Sequence, residues 1–154
     1  MKLRIYTDTS VIGGCLDEEF QDASLRLLRK FKTGKAVIVV SDLTLLELEE
    51  APRKVRAVLE RIPEAHREYV ELTEEAKELA QSYIAANVVE EAKLIDAQHI
   101  AVATVSRVDV LVSWNFKHIV NLQRIRGYNS VNLRYGYSLL EIRTPQEVIS
   151  YDEE

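Results

Sequence analysis

The sequence contains little cysteine, glycine and proline. Cys15 is the single cysteine among 154 residues, so an internal disulfide and a zinc site built from thiolates are excluded. The 5 glycines and 3 prolines are too few for a fibrous or low-complexity chain. With 47% hydrophobic and 29% charged residues, the composition is that of an ordinary globular protein.

Long hydrophobic runs are also missing. The longest, AVIVV at positions 36–40, has the length of a buried strand and falls far short of the roughly 18 residues that a membrane span requires. The start of the sequence, MKLRIYT, has the pattern of a strand rather than of a targeting segment. We therefore expect a cytoplasmic protein that forms one domain over residues 1–154 and does not enter the membrane.

Short apolar runs alternate with longer helical patterns. LRIYT, AVIVVS, VDVLVS and SVNL predict strands, and this alternation is typical of an α/β fold with a mainly parallel sheet and helices on both faces. Helices are predicted at about 17–33, 43–60 with a break near Pro52, 74–87, 91–107 and 116–125. A last short helix should begin after Thr144, which can form a capping box with Glu147.

Asp8 follows the first predicted strand. In open α/β sheets, the carboxyl ends of the strands form the crevice where ligands bind, so this position favours a functional role. The alternative is that Asp8, followed by Thr9 and Ser10, accepts backbone N–H bonds within a turn. The residue alone does not decide between the two.

Glu47 lies early in the helix that follows the AVIVVS strand, so its carboxylate can face the same edge of the sheet. Glu49 and Glu50 point further round this helix, by roughly 100° per residue. The alternative is that all three acids belong to a solvated acidic face. Glu47 is the best candidate of the three.

Asp96 lies in a helix of small apolar residues, where a carboxylate costs energy unless it is paired or bound to a metal. The alternative to a metal is a local pair with Lys93 or His99. If Asp8, Glu47 and Asp96 converge, they form an oxygen-rich site that suits Mg²⁺ or Mn²⁺. Such an ion can activate water and polarise a phosphate, so the chemistry indicated is phosphodiester hydrolysis.

Ser113, Trp114 and Asn115 follow the VDVLV strand, which places a hydroxyl and an amide at the same edge as Asp8. Asn115 either orients water or a ligand, or caps the helix predicted to begin at Phe116. For Trp114, packing is favoured over stacking on a base.

The candidate residues lie in four segments, DTSVIGG at 8–14, LTLLELE at 43–49, DAQHIAVAT at 96–104 and VDVLVSWNFKHIV at 108–120. Together these segments resemble the PIN-domain family of metal-dependent ribonucleases. The resemblance implies a three-layer α/β/α fold and a metal-dependent endoribonuclease that acts on RNA. It also implies that Asp8, Glu47 and Asp96 bind Mg²⁺ or Mn²⁺, with Ser10 and Ser113 as polar supports. Many relatives are toxins of toxin-antitoxin pairs, so an antitoxin protein is a possible partner.

Asn115 departs from the family pattern, because PIN domains commonly place a fourth acid at this position. An amide oxygen can still assist at the catalytic site, but a second metal ion should bind more weakly. The rival hypothesis is therefore a PIN-like scaffold that has lost catalysis and acts in RNA binding or protein association.

The basic segment from Lys117 to Arg143 is the expected contact for RNA. It carries five cations and one acid, a local charge of +4, whereas the rest of the chain carries −9. The candidate RNA-binding residues are Lys117, Arg124, Arg126 and Arg134. The alternative is that these cations keep the surface soluble or form a contact in a homodimer, the assembly that we expect. Tyr128, Tyr135 and Tyr137 either stack on bases or pack at an interface, with packing favoured.

Overall fold

A five-stranded parallel sheet lies at the centre of the computed structural model, which describes residues 2–150. Its strands are β1 (Leu3–Thr7), β2 (Ala36–Ser41), β3 (Arg67–Val70), β4 (Val110–Val112) and β5 (Ile142–Arg143). They are arranged in the order β3-β2-β1-β4-β5, and every neighbouring pair is parallel. The predicted α/β class is confirmed.

The helices are α1 (Thr9–Gly14), α2 (Gln21–Lys32), α3 (Asp42–Glu49), α4 (Arg53–Glu60), α5 (Glu74–Ala85), α6 (Leu94–Val105), α7 (Leu122–Arg134) and α8 (Pro145–Ser150). Two short 3₁₀ turns cover Glu64–His66 and Glu91–Lys93. None of the helices in the described part of the chain is long and apolar enough to cross a membrane.

The two faces of the sheet bury two separate hydrophobic clusters. Tyr6 and its neighbour Leu111 face α5, α6 and α7, while Ile5 and Ile38 face α1, α2 and α4. Successive strand residues point to opposite faces, so strands buried on both sides need the continuous apolar runs seen in the sequence. The result is the helix–sheet–helix layering that was predicted.

Two predicted elements were wrong. The SVNL run at 130–133, predicted as a strand, lies inside α7, and the helix predicted over 116–125 begins only at Leu122. The buried residues of this segment are Tyr128, Val131 and Asn132, which are three positions and one position apart. This spacing places them on one face of a helix, whereas the buried residues of a strand would alternate with exposed ones. Residues 116–120 instead form turns.

Two strands were missed, β3 and β5. β3 has the sequence REYV and lies at one edge of the sheet, where its residues are half-buried or exposed. β5 is two residues long and lies at the other edge. Neither carries the buried apolar run that marks the central strands, because an edge strand needs burial on fewer sides.

The remaining helices agree more closely with their predictions. α2 begins at Gln21 rather than near 17, and the break near Pro52 separates α3 from α4. The predicted capping box before α8 is confirmed. Thr144 Oγ1 accepts from the Glu147 N–H at 3.2 Å, and Glu147 Oε1 accepts from the Thr144 N–H at 3.1 Å.

Candidate active site

Asp8 lies directly after β1, where it caps the N-terminus of α1. Its Oδ1 atom accepts the Val11 N–H at 3.3 Å and the Ser10 hydroxyl at 2.6 Å, and its Oδ2 atom accepts the Ser113 hydroxyl at 2.6 Å. Only 5% of the residue is exposed. The alternative that Asp8 accepts backbone N–H bonds in a turn is therefore correct for Oδ1. The other oxygen, Oδ2, links the end of β1 to Ser113 at the end of β4.

The two serines are oriented by the backbone after β4. Ser10 Oγ accepts the Trp114 N–H at 2.9 Å, and Ser113 Oγ accepts the Asn115 N–H at 2.9 Å. Each hydroxyl oxygen thus receives a backbone hydrogen bond, which leaves its own O–H to donate to Asp8.

The buried Asp8 carboxylate is held at an energetic cost. Burial raises its pKa above the ordinary value, and the field of His99 and the bonds from the two serines oppose this rise without cancelling it. A buried carboxylate is stabilised by a positive charge, so Asp8 favours a cation nearby.

Glu47 is the outermost residue in a chain of polar contacts that runs into the core. Its Oε1 atom accepts the Thr9 hydroxyl at 3.0 Å and lies 2.6 Å from His99 Nε2. His99 Nδ1 lies 2.7 Å from Tyr6 Oη, which lies 2.7 Å from Ser41 Oγ. Burial pushes the pKa of Glu47 upward, but the His99 and Thr9 contacts outweigh it and the pKa is lowered.

His99 is a residue of the candidate site that the sequence did not single out. It was considered only as a local partner for Asp96, whereas the structure places it against Glu47, 52 positions away in the chain. The residue is 3% exposed. A buried imidazole must find hydrogen-bond partners, so a histidine within the apolar face of α6 was the signal that pointed to a polar network.

Asp96 lies in the first turn of α6 and is half-buried. Within residues 2–150 its carboxylate accepts no hydrogen bond and forms no ion pair, so the local pair with Lys93 or His99, the alternative to a metal, is not formed. Burial raises its pKa, while the fields of His99, His118 and Lys93 lower it by less. The oxygens of the Asp96 carboxylate are therefore available to a ligand.

A cleft of about 320 Å³ joins Glu47 and Asp96. Its other lining residues are Leu43, Leu46, Ala92, Lys93 and Ile95. Another depression, of about 500 Å³, is lined by the first residues of strands, including Leu3 and Ala36, and thus lies at the opposite edge of the sheet from Asp8. The smaller cleft is the one that Glu47 and Asp96 line, and Asp8 is not among its lining residues.

The donor chemistry of this cleft fits a hard divalent cation. Across residues 2–150, no three His, Cys, Asp or Glu side chains are already grouped closely enough to hold a metal ion. Glu47 Oε2 and both Asp96 oxygens nevertheless have no hydrogen-bond partner in this part of the chain. Mg²⁺ keeps several waters and is usually bound through one or two carboxylates. The oxygens of Glu47 and Asp96 that have no partner are therefore enough to bind such an ion.

Asn115 adjoins Ser113 and caps a turn. Its Oδ1 atom accepts the His118 N–H at 2.9 Å, and its carbonyl oxygen accepts from Ile119 at 3.1 Å and Val120 at 2.8 Å. The capping interpretation is therefore correct, although the capped segment is a turn and not the predicted helix.

The structure separates the four candidate RNA-binding residues. Lys117 is exposed in the turn after β4, whereas the Arg124 guanidinium bonds to the Val88 carbonyl. Arg126 is exposed on α7, and Arg134 is the last residue of α7, about 18 Å along the axis from its start. Since α7 leads from the end of β4 toward the start of β5, Arg134 lies far from Asp8.

The three tyrosines considered for stacking lie outside the acidic cleft. Tyr128 is buried, packs edge-on against Tyr83 and donates its hydroxyl to the His118 carbonyl at 2.8 Å. Tyr137 donates its hydroxyl to Glu75 at 2.5 Å, and Tyr135 is exposed after α7. Packing is confirmed for Tyr128.

The fold and the site define a class of protein: a parallel α/β domain with a buried acid after its first strand and further acids on the flanking helices. A family model described as the PIN domain matches residues 5–116, a span that includes Asp8, Glu47, Asp96 and Asn115. The chain therefore belongs to the PIN-domain family, a family of nucleases that includes ribonuclease toxins. No curated protein matches the chain by sequence.

Solved structures with the same fold include VapC20 of Mycobacterium tuberculosis, described as a sarcin-ricin loop cleaving toxin. It is 15% identical with a TM-score of 0.54, and the match covers 89% of this chain and 98% of that one. VapBC2 of Rickettsia felis, bound to a promoter DNA fragment, is 13% identical with a TM-score of 0.55, covering 92% and 98%. FitAcB of Neisseria gonorrhoeae is 14% identical with a TM-score of 0.56, also covering 92% and 98%.

Proposed function

We propose that this protein is a metal-dependent endoribonuclease in which Asp8, Glu47 and Asp96 bind Mg²⁺ or Mn²⁺. The observation that carries the proposal is the open Asp96 carboxylate, half-buried beside Glu47 in a cleft. A carboxylate in an apolar setting costs energy unless something binds it. A ligand of positive charge is the simplest reason to keep one there.

The protein side chains have distinct roles in this proposal. Ser10 and Ser113 fix the Asp8 carboxylate, and His99 fixes Glu47. A cation held by these carboxylates would supply Lewis-acid polarisation of a phosphodiester and would lower the pKa of a water.

Two residues that follow Ser113 in the chain, Asn115 and Lys117, would contact the substrate. The Asn115 Nδ2 group has no hydrogen-bond partner within residues 2–150, so it can donate to a phosphate oxygen or to the attacking water. The exposed Lys117 ammonium neutralises a neighbouring phosphate, which offsets the repulsion that the acids exert on RNA.

Cleavage of a mixed-sequence RNA pool tests the proposal. We expect cleavage with Mg²⁺ or Mn²⁺ and none with EDTA. The Asp96→Asn variant should be folded and inactive. Asp109→Asn is the matched control, because Asp109 accepts the Arg4 N–H at 2.7 Å at the opposite edge of the sheet, and it should retain activity.

A PIN-like scaffold without catalysis is the second candidate, favoured by the amide at Asn115. It predicts that no sample cleaves RNA and that calorimetry detects no binding of Mg²⁺ or Mn²⁺. Activity that persists in EDTA, or that is equal in the wild type and Asp96→Asn, would indicate a contaminating nuclease and would also count against the catalytic proposal.

We further propose that the protein is a toxin with a protein antitoxin, and that it forms a homodimer. Support for the toxin and antitoxin roles comes from the similar structures, one of a protein described as a toxin and one of VapBC2 bound to a promoter DNA fragment. Induced expression should arrest growth for the wild type but not for Asp96→Asn, and sedimentation velocity should give twice the mass of the chain. Equal growth of both strains would count against the toxin role.

A further inference from the structure

Three aromatic side chains form a cluster beside the acidic site. The rings of Phe20 and Trp114 are stacked, with centroids 4.5 Å apart and an angle of 23° between their planes. Phe116 lies 6.1 Å from Trp114 and 6.4 Å from Phe20. We call these three residues the aromatic platform.

The platform is fixed to the site by hydrogen bonds. The Trp114 indole N–H donates to Ser24 Oγ at 2.8 Å, and the Trp114 backbone N–H donates to Ser10 Oγ at 2.9 Å. Ser10 in turn donates to Asp8 at 2.6 Å. The backbone of the platform is therefore two hydrogen bonds from the Asp8 carboxylate.

A close approach to α1 also sets the position of the indole. A Cβ atom on Gly14 would lie 2.6 Å from Ser24 Oγ and 2.9 Å from Trp114 Nε1. Only glycine leaves this space free, so the ring is held in place by helix packing as well as by its hydrogen bonds.

Part of the platform remains open to solvent, although large aromatic rings are usually buried. Phe116 is 49% exposed, and the neighbouring Lys117 is exposed and has no ion pair within the described residues. His118 lies near enough to Asp96 to influence its carboxylate. An aromatic surface with an adjacent cation, next to an acidic site, suits a molecule that has both flat rings and negative charges.

We propose that the aromatic platform stacks an unpaired base of the RNA strand whose phosphodiester lies at Asp8 and Asp96; this inference rests on the proposed function. Every base has a π-face, so stacking selects a single strand without selecting its sequence. A paired base is already stacked within its duplex and is not available. The platform thus selects unpaired RNA.

Trp114 is the only tryptophan of the chain, so its fluorescence reports on the platform directly. We would titrate the protein in EDTA and low salt with a short single-stranded RNA and with the same RNA in a duplex. The single strand should quench Trp114, and the duplex should bind more weakly. Phe116→Ala should weaken binding about five-fold or more, whereas Phe116→Tyr should preserve it.

Tyr135→Ala is the matched control, because Tyr135 is a comparably exposed aromatic residue, 58% against 49%, after the far end of α7. Its RNA affinity should equal that of the wild type. Equal affinities of wild type and Phe116→Ala, or no quenching by single-stranded RNA, would overturn the platform. Tighter binding of the duplex would overturn it as well.

The test separates this inference from the proposed function. Metal-dependent cleavage with unchanged affinity in Phe116→Ala would refute the platform and leave the nuclease proposal in place. Quenching that depends on Phe116 in a protein that cleaves no RNA would support the platform and refute catalysis. Saturable quenching by a protein from the same cell, with none by RNA, would assign the platform to a protein partner and overturn the inference.

Discussion

The His99 side chain reaches from α6 to α3 and places its Nε2 atom 2.6 Å from Oε1 of Glu47. Its other nitrogen lies 2.7 Å from the buried Tyr6 hydroxyl, so both sides of the ring are held. A half-exposed glutamate on a short helix would otherwise sample several rotamers. The position of Glu47 at the cleft therefore depends on a buried histidine.

Replacing His99 by leucine should reduce RNA cleavage on the order of 10- to 100-fold, as is typical when the residue that orients a metal-binding carboxylate is lost. Stability should fall by only about 1–2 kcal/mol, because Tyr6 retains Ser41 as a partner. Cleavage rates and urea unfolding measure the two effects. Calorimetric titration with Mn²⁺ should show weaker binding, a change that a purely structural role would not produce.

Tyr6→Phe is the companion variant, since it removes only the hydroxyl that bonds to His99. The His99–Glu47 contact remains, so its cleavage and Mn²⁺ affinity should lie between those of the wild type and His99→Leu. Full activity in His99→Leu would show that Glu47 needs no support from the core.

Asp96→Asn should stabilise the metal-free protein at neutral pH while abolishing its activity. Burial raises the folded-state pKa of Asp96 above its ordinary value of 3.8, so the folded state prefers the protonated form. The resulting stability is present below the unfolded-state pKa and is lost as the pH rises through the folded-state pKa. The asparagine variant has no such loss.

Thermal unfolding in EDTA at pH 3 and pH 7 measures this effect. The melting temperature of Asp96→Asn should exceed that of the wild type at pH 7, and the difference should shrink at pH 3. Asp109→Asn should not be stabilised, because the Asp109 carboxylate accepts a backbone hydrogen bond from Arg4. A less stable Asp96→Asn at pH 7 would identify a structural role for this carboxylate.

The central strands could be predicted because a strand that is buried on both faces appears in the sequence as a continuous apolar run. The order of the acids could be predicted from these runs, because the acids follow them in the chain. β1 and β2 are buried on both faces and appear as apolar runs, and Asp8 follows the first of them directly. The edge strand β3 lacks such a run, and SVNL carries β-branched and apolar residues that α7 uses for a helical face. Local composition does not distinguish these cases.

The contacts of the candidate site were less predictable because they join distant segments. The bond from Ser113 to Asp8 spans 105 positions, and that from His99 to Glu47 spans 52. No local spacing encodes them. The positions of Glu47 and Ser113 after their strands made them candidates, whereas the contact of His99 with Glu47 and the stacking of Phe20 on Trp114 became visible only in three dimensions.

Gly14→Ala and Gly13→Ala form a matched pair in α1. Both replace a helical glycine by a better helix former, but only the Gly14 Cβ would meet neighbours, at 2.6 Å from Ser24 Oγ and 2.9 Å from Trp114 Nε1, whereas nothing lies within 4 Å of the Gly13 Cβ. We expect Gly14→Ala to lose about 1–3 kcal/mol of unfolding free energy. Gly13→Ala should be neutral or gain up to about 1 kcal/mol.

Urea unfolding and Trp114 emission check this pair. The emission maximum should shift in Gly14→Ala, because the indole must leave Ser24, and should not shift in Gly13→Ala. Equal stabilities and equal spectra would mean that the Gly14 contact relaxes without moving the ring.

Asn115→Asp should strengthen cation binding, because it adds a carboxylate beside Ser113 where the family commonly has an acid. The turn should survive, since an aspartate oxygen can accept the His118 N–H that Asn115 accepts at 2.9 Å. In EDTA the added charge repels Asp8, so the variant should be less stable than the wild type. With Mn²⁺ present this order should reverse, because a ligand that binds only the folded state stabilises it.

Calorimetry and RNA cleavage in Mn²⁺ measure the gain, which we expect to be roughly tenfold in affinity, equivalent to about 1.4 kcal/mol of added attraction. Asn115→Ser is the control, because serine can cap the turn without adding charge. If Asn115→Asp binds Mn²⁺ no better than Asn115→Ser, position 115 lies outside the reach of the ion. A gain in affinity without a gain in cleavage would instead mean that the amide of Asn115 acts on substrate or water, a role that an added carboxylate cannot take over because it has no N–H to donate.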